Sequence, residues 1–154
     1  MQLTSILPLE AVLPNLPARD KKQALKLMAM HAGTLTGISD RAIFNVLLER
    51  EHIGCTGMGN GVCIPHGRFD ELKHPLAVFA RLEKPIEFGA VDGKPVDLIF
   101  LLLTPTSANT EHIKALAVAT RLLRDKTLCK DIRATDTAAG IHALLIAERG
   151  EDAA

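Results

Sequence analysis

The spacing of apolar positions predicts two helices in the first third of the chain. After Arg19, apolar residues return at steps of three and four, which is the repeat of one helical face. Those positions are Leu25, Met28, Ala32 and Leu35. Gly37 interrupts the repeat, and Ser39 is the predicted N-cap of a second helix that ends near Glu51. The eighteen residues before Arg19 contain three prolines and are expected to be irregular.

Shorter apolar runs in the middle of the chain predict strands. Residues 54–67 contain five glycines, so we expect a loop there, followed by a short strand at 62–64. Longer strands are predicted at 76–82 and 96–103. The second of these is apolar at consecutive positions, which is typical of a central strand covered by helices on both faces.

Two further helices are predicted after the last strand. Ser107 is the expected cap of the first, and Thr135 is the expected cap of the second. The inner face of the first is predicted to comprise Ile113, Leu116, Ala117, Thr120 and Leu123. Helices at both ends with strands between them indicate an α/β fold: a single-domain sandwich over residues 1–154, with a central mixed β-sheet flanked by helices.

Composition removes several classes of function. Eighteen Lys and Arg balance eighteen Asp and Glu, and the chain has no Tyr or Trp, so nucleic acid is not an expected partner. The longest strongly apolar run, residues 98–103, is far too short for membrane insertion. The first residues lack the basic start and unbroken apolar stretch of a signal peptide. These features predict a cytoplasmic protein.

The glycine-rich segment and the histidine at its end are the candidate chemistry. Clustered glycines let backbone N–H groups converge on an anion, although a merely tight surface loop would have the same composition. Pro65 restricts the backbone before His66, and Gly67 leaves space after it. A rigidly presented imidazole beside an anion-friendly loop suits a nucleophile for phosphorus, in which one ring nitrogen attacks and the other keeps its proton. The sequence leaves open which nitrogen attacks.

Zinc binding is an alternative interpretation of the same segment. Cys55, Cys63, His66 and His74 are four zinc-type ligands, and Cys63 and His66 have a workable local spacing. However, Cys63 lies between Val62 and Ile64, a setting that favours a small buried residue. A Cys–His hydrolase is less favoured, because no third orienting residue can be named.

Residues 47–72, LLEREHIGCTGMGNGVCIPHGRFDEL, resemble the active-site signature of the fructose/mannitol and nitrogen-related enzyme IIA proteins of the bacterial phosphotransferase system. Glu-Arg, Gly-x-Gly-Asn-Gly and Ile-Pro-His-Gly occur in the family's order, and weaker similarity covers nearly the whole chain. The resemblance implies one enzyme IIA type 2 domain in which His66 accepts a phosphoryl group as a phosphohistidine. It also implies that Arg50 and His112 assist. Cysteines replace the commoner small residues at 55 and 63, and Cys55 is expected to be sensitive to oxidation.

The resemblance also implies partners. A small phosphocarrier resembling HPr, or its nitrogen-branch paralogue NPr, would be the donor, and no ATP, metal or other cofactor is implied. The N-terminal lead-in resembles the nitrogen-related type, which predicts a phosphorylation-dependent regulator of targets such as potassium-transport or sensor components. The alternatives are a sugar-transport component that passes phosphate to an enzyme IIB, and a binding module that is never phosphorylated. Around the site, Met58, Val62 and Phe69 are candidates for an apolar docking rim, or else Val62 and Phe69 point into the core.

Overall fold

The computed structural model describes residues 2–53 and 56–152, and the side chains within those ranges as far as residue 147. Two short 3₁₀ turns, Leu3–Ser5 and Leu9–Ala11, precede the first strand. The strands are β1 (Val12–Leu16), β2 (Gly57–Gly59), β3 (Val62–Cys63), β4 (His66–Phe69), β5 (Leu76–Ile86) and β6 (Val96–Pro105). The helices are α1 (Lys21–Thr36), α2 (Asp40–Ile53), α3 (Asn109–Arg124), α4 (Lys126–Arg133) and α5 (Ala138–Asp152).

The strands form one mixed sheet around β6. The order along the sheet is β1-β5-β6-β3-β2, and β4 also pairs with β6. Strand β6 is antiparallel to β5 and parallel to both β3 and β4. Every β6 residue except the half-buried Asp97 is buried. The predicted α/β architecture with a central mixed sheet and flanking helices is therefore confirmed.

The N-terminal lead-in is more ordered than predicted. Residues Val12–Leu16 form β1, which pairs in parallel with β5 at the end of the sheet. The strand was not predicted because Pro14 is unfavourable within a sheet. An edge strand tolerates proline, however, since one side of it donates no ladder hydrogen bonds. The Pro14 carbonyl instead accepts a hydrogen bond from Arg81 Nη1 at 3.0 Å.

The first two helices follow the sequence prediction closely. Asp20 caps α1, accepting a hydrogen bond from the Gln23 amide at 2.8 Å. Gly37 ends the helix with φ 80°, a left-handed conformation that favours glycine. The predicted cap Ser39 is confirmed, since its hydroxyl accepts from the Ala42 amide at 3.3 Å.

The capping predictions for the later helices are wrong. Helix α3 begins at Asn109 after Ala108, and no side chain caps it, so Ser107 has no capping role. The last helix is capped by Thr137, whose hydroxyl accepts from the Gly140 amide at 3.1 Å. Thr135 instead bonds to the end of α4: its hydroxyl donates to the Asp131 carbonyl at 2.8 Å. Helix α4 was not predicted, because eight residues are too few to display a clear repeat.

The buried face of α3 is also rotated from the predicted one. The buried positions are Ala115, Val118, Ala119, Leu122 and Leu123, whereas Ile113 is 67% exposed. Two of the five buried residues are alanines, so the buried face is not the one with the largest apolar side chains at every turn. A large apolar side chain is left in solvent one residue after His112.

Candidate active site

His66 lies on a short strand that pairs with β6, the central strand of the sheet. It is the first residue of β4 and lies in register with Leu102 of β6. Strands β3 and β4 pair with the same edge of β6, and between them the Pro65 carbonyl accepts from the Leu102 amide at 2.9 Å. The expected loop is therefore three short strands from Gly57 onward, and His66 begins a strand instead of ending a loop. The imidazole is half-buried.

One hydrogen bond assigns the tautomer of His66. Its Nδ1 lies 2.8 Å from the Ile64 carbonyl oxygen. A carbonyl only accepts hydrogen bonds, so Nδ1 carries the ring proton and Nε2 keeps its lone pair. In the neutral ring, Nε2 is thus the nitrogen with the available lone pair, a point that the sequence left open.

His112 lies against His66 from the first turn of α3. The two ring centroids are 5.8 Å apart, with the ring planes tilted by 55°. The Nδ1 atom of His112 is 2.5 Å from the hydroxyl of Thr104, a fully buried residue of β6. Partial burial lowers the pKa of His112 below its usual value, and the charges of Arg68 and His66 lower it further.

Arg50 faces the same cleft as His66. It lies in the last turn of α2 and is half-buried. With His66, Thr56, Met58 and Arg124 it contributes to the wall of a cavity of about 550 Å³. The structure therefore brings Arg50 and His66 to one cavity and sets His112 against His66, although His112 is not among the residues that line that cavity.

A buried carboxylate anchors the chain where it enters this segment. The Glu51 side chain is only 1% exposed and pairs with Lys21 Nζ at 2.7 Å. It also accepts hydrogen bonds from the Thr56 hydroxyl and, at 3.4 Å, from the Thr56 amide. Lys21 in turn lies 4.8 Å from the centre of the Phe88 ring. Glu51 thus fixes Thr56, a wall residue of the cleft, next to Arg50.

The turn between β2 and β3 is anchored by two more charged residues. Asn60 lies in the left-handed region with φ 57°, and its amide donates to Asp92 Oδ2 at 2.9 Å. That hydrogen bond is the main reason why the pKa of Asp92 is lowered. The Asn60 carbonyl accepts from Arg133 Nη2 at 2.9 Å, and Arg133 also pairs with Asp97 at 2.8 Å. Sequence reasoning missed these anchors, since they come from separate elements and no local motif marks them.

Comparison with known proteins places this site in a family. The family model for the phosphoenolpyruvate-dependent sugar phosphotransferase system, EIIA 2, matches residues 5–148. The chain belongs to the EIIA 2 family. The resemblance of residues 47–72 to enzyme IIA proteins is thereby confirmed.

The relatives of this EIIA 2 protein include regulatory and sugar-specific members. A nitrogen regulatory protein of Bradyrhizobium diazoefficiens is 48% identical over 145 residues, covering 94% of this chain and 95% of the relative. The crystal structure of nitrogen regulatory protein IIA-Ntr from Neisseria meningitidis superimposes with a TM-score of 0.88 at 33% identity, covering 93% of this chain and 98% of that one. A fructose-specific EIIA component of Haloferax volcanii is 34% identical, covering 79% of each chain.

The apolar rim of the EIIA site differs from the prediction. Val62 and Phe69 are buried at 2% and 4% exposure, so neither can contact a partner. Phe69 belongs to the core, whereas Val62 borders the cleft without being exposed at its rim. Met58 is half-buried and does line the cleft. The exposed apolar residue of the cleft wall is Val91, which is 81% exposed.

The proposed zinc ligands do not converge in the part of the chain that is described. No three His, Cys, Asp or Glu side chains there could hold a metal ion together. Cys63 is fully buried, and His74 lines a different cavity with Ser5 and Glu111. Cys55 lies outside the described residues, so its sensitivity to oxidation stays a prediction. Across residues 2–53 and 56–152, every helix is too short or too polar to cross a bilayer.

Proposed function

We propose that this EIIA 2 protein accepts a phosphoryl group on Nε2 of His66 from the phosphohistidine of an HPr- or NPr-like carrier. The observation that carries the proposal is the hydrogen bond from Nδ1 to the Ile64 carbonyl. It leaves Nε2 unprotonated on a half-buried ring that opens into a cavity large enough for a phosphoryl group.

The proposed step balances without a cofactor. The Nε2 lone pair forms a bond to phosphorus as the bond between phosphorus and the donor's ring nitrogen breaks, and the electron pair of that bond stays with the donor imidazole. His66 keeps its Nδ1 proton, so its ring becomes cationic and the Ile64 carbonyl stabilises that charge. Because the donor bond is already reactive, positioning and charge stabilisation are sufficient for transfer.

Arg50 and His112 are proposed to contact the phosphoryl oxygens. The guanidinium of Arg50 is part of the cavity wall, and charge-assisted hydrogen bonds are the stronger kind. His112 lies in the first turn of α3, where the helix dipole also favours an anion. Both groups would stabilise a charge that develops during transfer.

The proposed role of the phosphoryl group is regulatory. The 48% identical relative is a nitrogen regulatory protein, and the similarity runs through nearly the whole of both chains. Phosphorylation would add about two negative charges to the cleft, whose wall includes the exposed Val91, and change which target proteins bind there. Targets of the potassium-transport or sensor type follow from the nitrogen-related resemblance. Transfer to an enzyme IIB is the second candidate, because sugar-specific members such as the Haloferax protein belong to the same family.

The direct test is incubation with enzyme I, an HPr-type carrier and labelled phosphoenolpyruvate. We expect acid-labile, alkali-stable label in the wild-type protein and none in His66→Ala. His74→Ala is the matched control, since His74 is exposed and outside the cleft, and it should label normally. Label that persists in His66→Ala would place the acceptor elsewhere, and an unlabelled wild-type protein would favour the pure binding module.

Removing either assisting residue should slow transfer while the fold persists. Loss of one charge-assisted donor costs about 1.5–3 kcal/mol, so Arg50→Ala and His112→Ala should each be roughly tenfold to a hundredfold slower. His52→Ala, an exposed histidine two residues after Arg50, is the control. Rates within twofold of wild type for both variants would refute the assisting roles.

A binding measurement can distinguish the regulatory role from the sugar-transport role. A target protein should bind the free and phosphorylated forms with different affinity if the phosphoryl group is a signal. Equal affinities, together with rapid transfer to an enzyme IIB, would favour the transport role.

A further inference from the structure

Arg68 connects the strand that carries His66 to the helix that carries His112. It lies two residues after His66 in β4, on the same face of the strand, and in register with Thr104 of β6. Its Nη2 donates to the carbonyls of Pro105 at 3.4 Å and Thr106 at 3.0 Å. The same nitrogen lies 2.5 Å from Oδ1 of Asn109, the first residue of α3.

The Arg68–Asn109 contact restrains the start of α3, which has no side-chain cap of its own. The residue before α3, Ala108, provides no side-chain cap, so the first turn of the helix lacks a hydrogen bond from an N-cap side chain. Charge-assisted hydrogen bonds to the two carbonyls and to Asn109 restrain the end of β6 and the first turn of α3 together. His112 lies three residues after Asn109, within that turn.

We propose that Arg68 is a positioning residue for phosphoryl transfer: it fixes the first turn of α3, and with it the ring of His112, relative to His66. This proposal rests on the proposed function of the two histidines. Arg68 is distinct from Arg50, which lines the cleft where the phosphoryl group would lie, whereas Nη2 of Arg68 is engaged by the polypeptide itself.

The charge of Arg68 supports the same role. The charged and titratable groups that act on His112 are Arg68 from β4 and His66, and its contact from β6 is the neutral hydroxyl of Thr104. Glu111 and Lys114, its neighbours on α3, are exposed. After burial, Arg68 is the largest cause of the lowered pKa of His112, and both causes favour the neutral ring. The Thr104 hydroxyl can either donate to or accept from Nδ1. With the hydroxyl as donor, the proton of the neutral ring lies on Nε2, where it can be donated to a phosphoryl oxygen.

The positioning role can be tested by comparing a lysine and a methionine substitution at Arg68. All three acceptors are reached by one nitrogen, so a lysine ammonium can replace the contact and the charge, whereas a methionine replaces neither. Arg68→Met should transfer phosphate roughly tenfold more slowly, and Arg68→Lys should stay within about threefold of wild type. Arg41→Met, which removes an exposed arginine of α2, is the matched control and should behave as wild type.

Two readouts distinguish positioning from general support of the fold. In an NMR titration, the pKa of His112 should rise in Arg68→Met and not in Arg68→Lys, because removal of a nearby cation favours the protonated ring. In a double-mutant cycle, Arg68→Met should add little to the loss already caused by His112→Ala, since it acts through that residue. Arg68→Gln, which retains an amide donor without the charge, is an alternative should Arg68→Met fail to fold.

The proposal is overturned if the uncharged variants transfer within twofold of wild type, or if their losses add fully to that of His112→Ala. Equal losses in Arg68→Lys and Arg68→Met with an unchanged His112 titration would also overturn it. The failure of the proposed function is a separate result, because an unlabelled wild-type protein would still yield the His112 titration.

Discussion

The β5–β6 pair and the segment from β2 to β4 are held in place by different forces. Strands β5 and β6 form one long antiparallel ladder, from Leu76 opposite Leu103 to Ile86 opposite Val96, and most of their side chains are fully buried. The strands from β2 to β4 contain only two to four residues each. Besides the pairing of β3 with β6, polar contacts from Glu51, Asp92 and Arg133 hold the β2–β3 end of this segment.

Because of this difference, we expect the β5–β6 pair to govern mainly the stability of the protein and the short segment to govern mainly phosphoryl transfer. A ladder buried in apolar contacts contributes much to the free energy of folding. That contribution changes little when any one atom shifts slightly. The short segment contributes less to the free energy of folding. Its atoms must nevertheless be placed within a fraction of an ångström for phosphoryl transfer. Substitutions in the two regions should therefore affect different measurements.

The largest expected effect is on stability, from a cavity in the long ladder. Leu101 is fully buried in β6 and lies in register with Val78. Leu101→Ala should lower the free energy of unfolding by about 2–5 kcal/mol, measured by urea denaturation. The fraction that remains folded should accept phosphate at the wild-type rate, and slower transfer by that fraction would break the proposed separation.

Loss of the Glu51 charge should have a smaller effect on stability and a larger effect on transfer. Glu51→Gln keeps a hydrogen-bond acceptor for Thr56 but removes the partner of Lys21, whose side chain is 28% exposed and can turn to water. We expect about 1–3 kcal/mol of destabilisation and slower phosphorylation. Lys21→Met should be more damaging to stability, because it leaves the buried carboxylate without its cation. The reverse order would show that the pair does not anchor the segment.

Two glycines provide the finest test of the β2–β3 turn. Gly61 and Gly93 both have left-handed φ angles, 81° and 71°. A methyl group at Gly61 would lie 2.7 Å from Arg133 Nη2 and 2.9 Å from Asp97 Oδ1, whereas one at Gly93 would meet nothing within 4 Å. Both alanine variants carry backbone strain of about 1–2 kcal/mol, but Gly61→Ala should lose roughly 1–2 kcal/mol more and also transfer more slowly. Equal losses in the two variants would mean that the Arg133 contact is dispensable.

The same difference explains what could be predicted from the sequence. The repeat of apolar residues was sufficient for α1, α2, β5 and β6, because burial decides those elements. It failed where a single contact decides: Pro14 in an edge strand, Thr135 bonded back to α4, and the anchoring partners of Asn60. The Ile-Pro-His-Gly motif and its resemblance to a family predicted His66 as the phosphoryl acceptor, and that role stays a prediction. Arg68 was missed, since its role depends on the strand register that places it beside the start of α3.

The central position of β6 also governs when the site can exist during folding. His66 and Arg50 precede β6 along the chain, and His112 follows it, and β4 completes its place in the sheet by pairing with β6. Such pairings between distant segments form slowly, because the loop entropy must be lost before the contacts are gained. A chain that has not completed its sheet has no fixed place for the imidazole and cannot be phosphorylated efficiently. Under the proposed function, the phosphorylated pool would consist of correctly folded molecules, so the modification would also report that folding is complete.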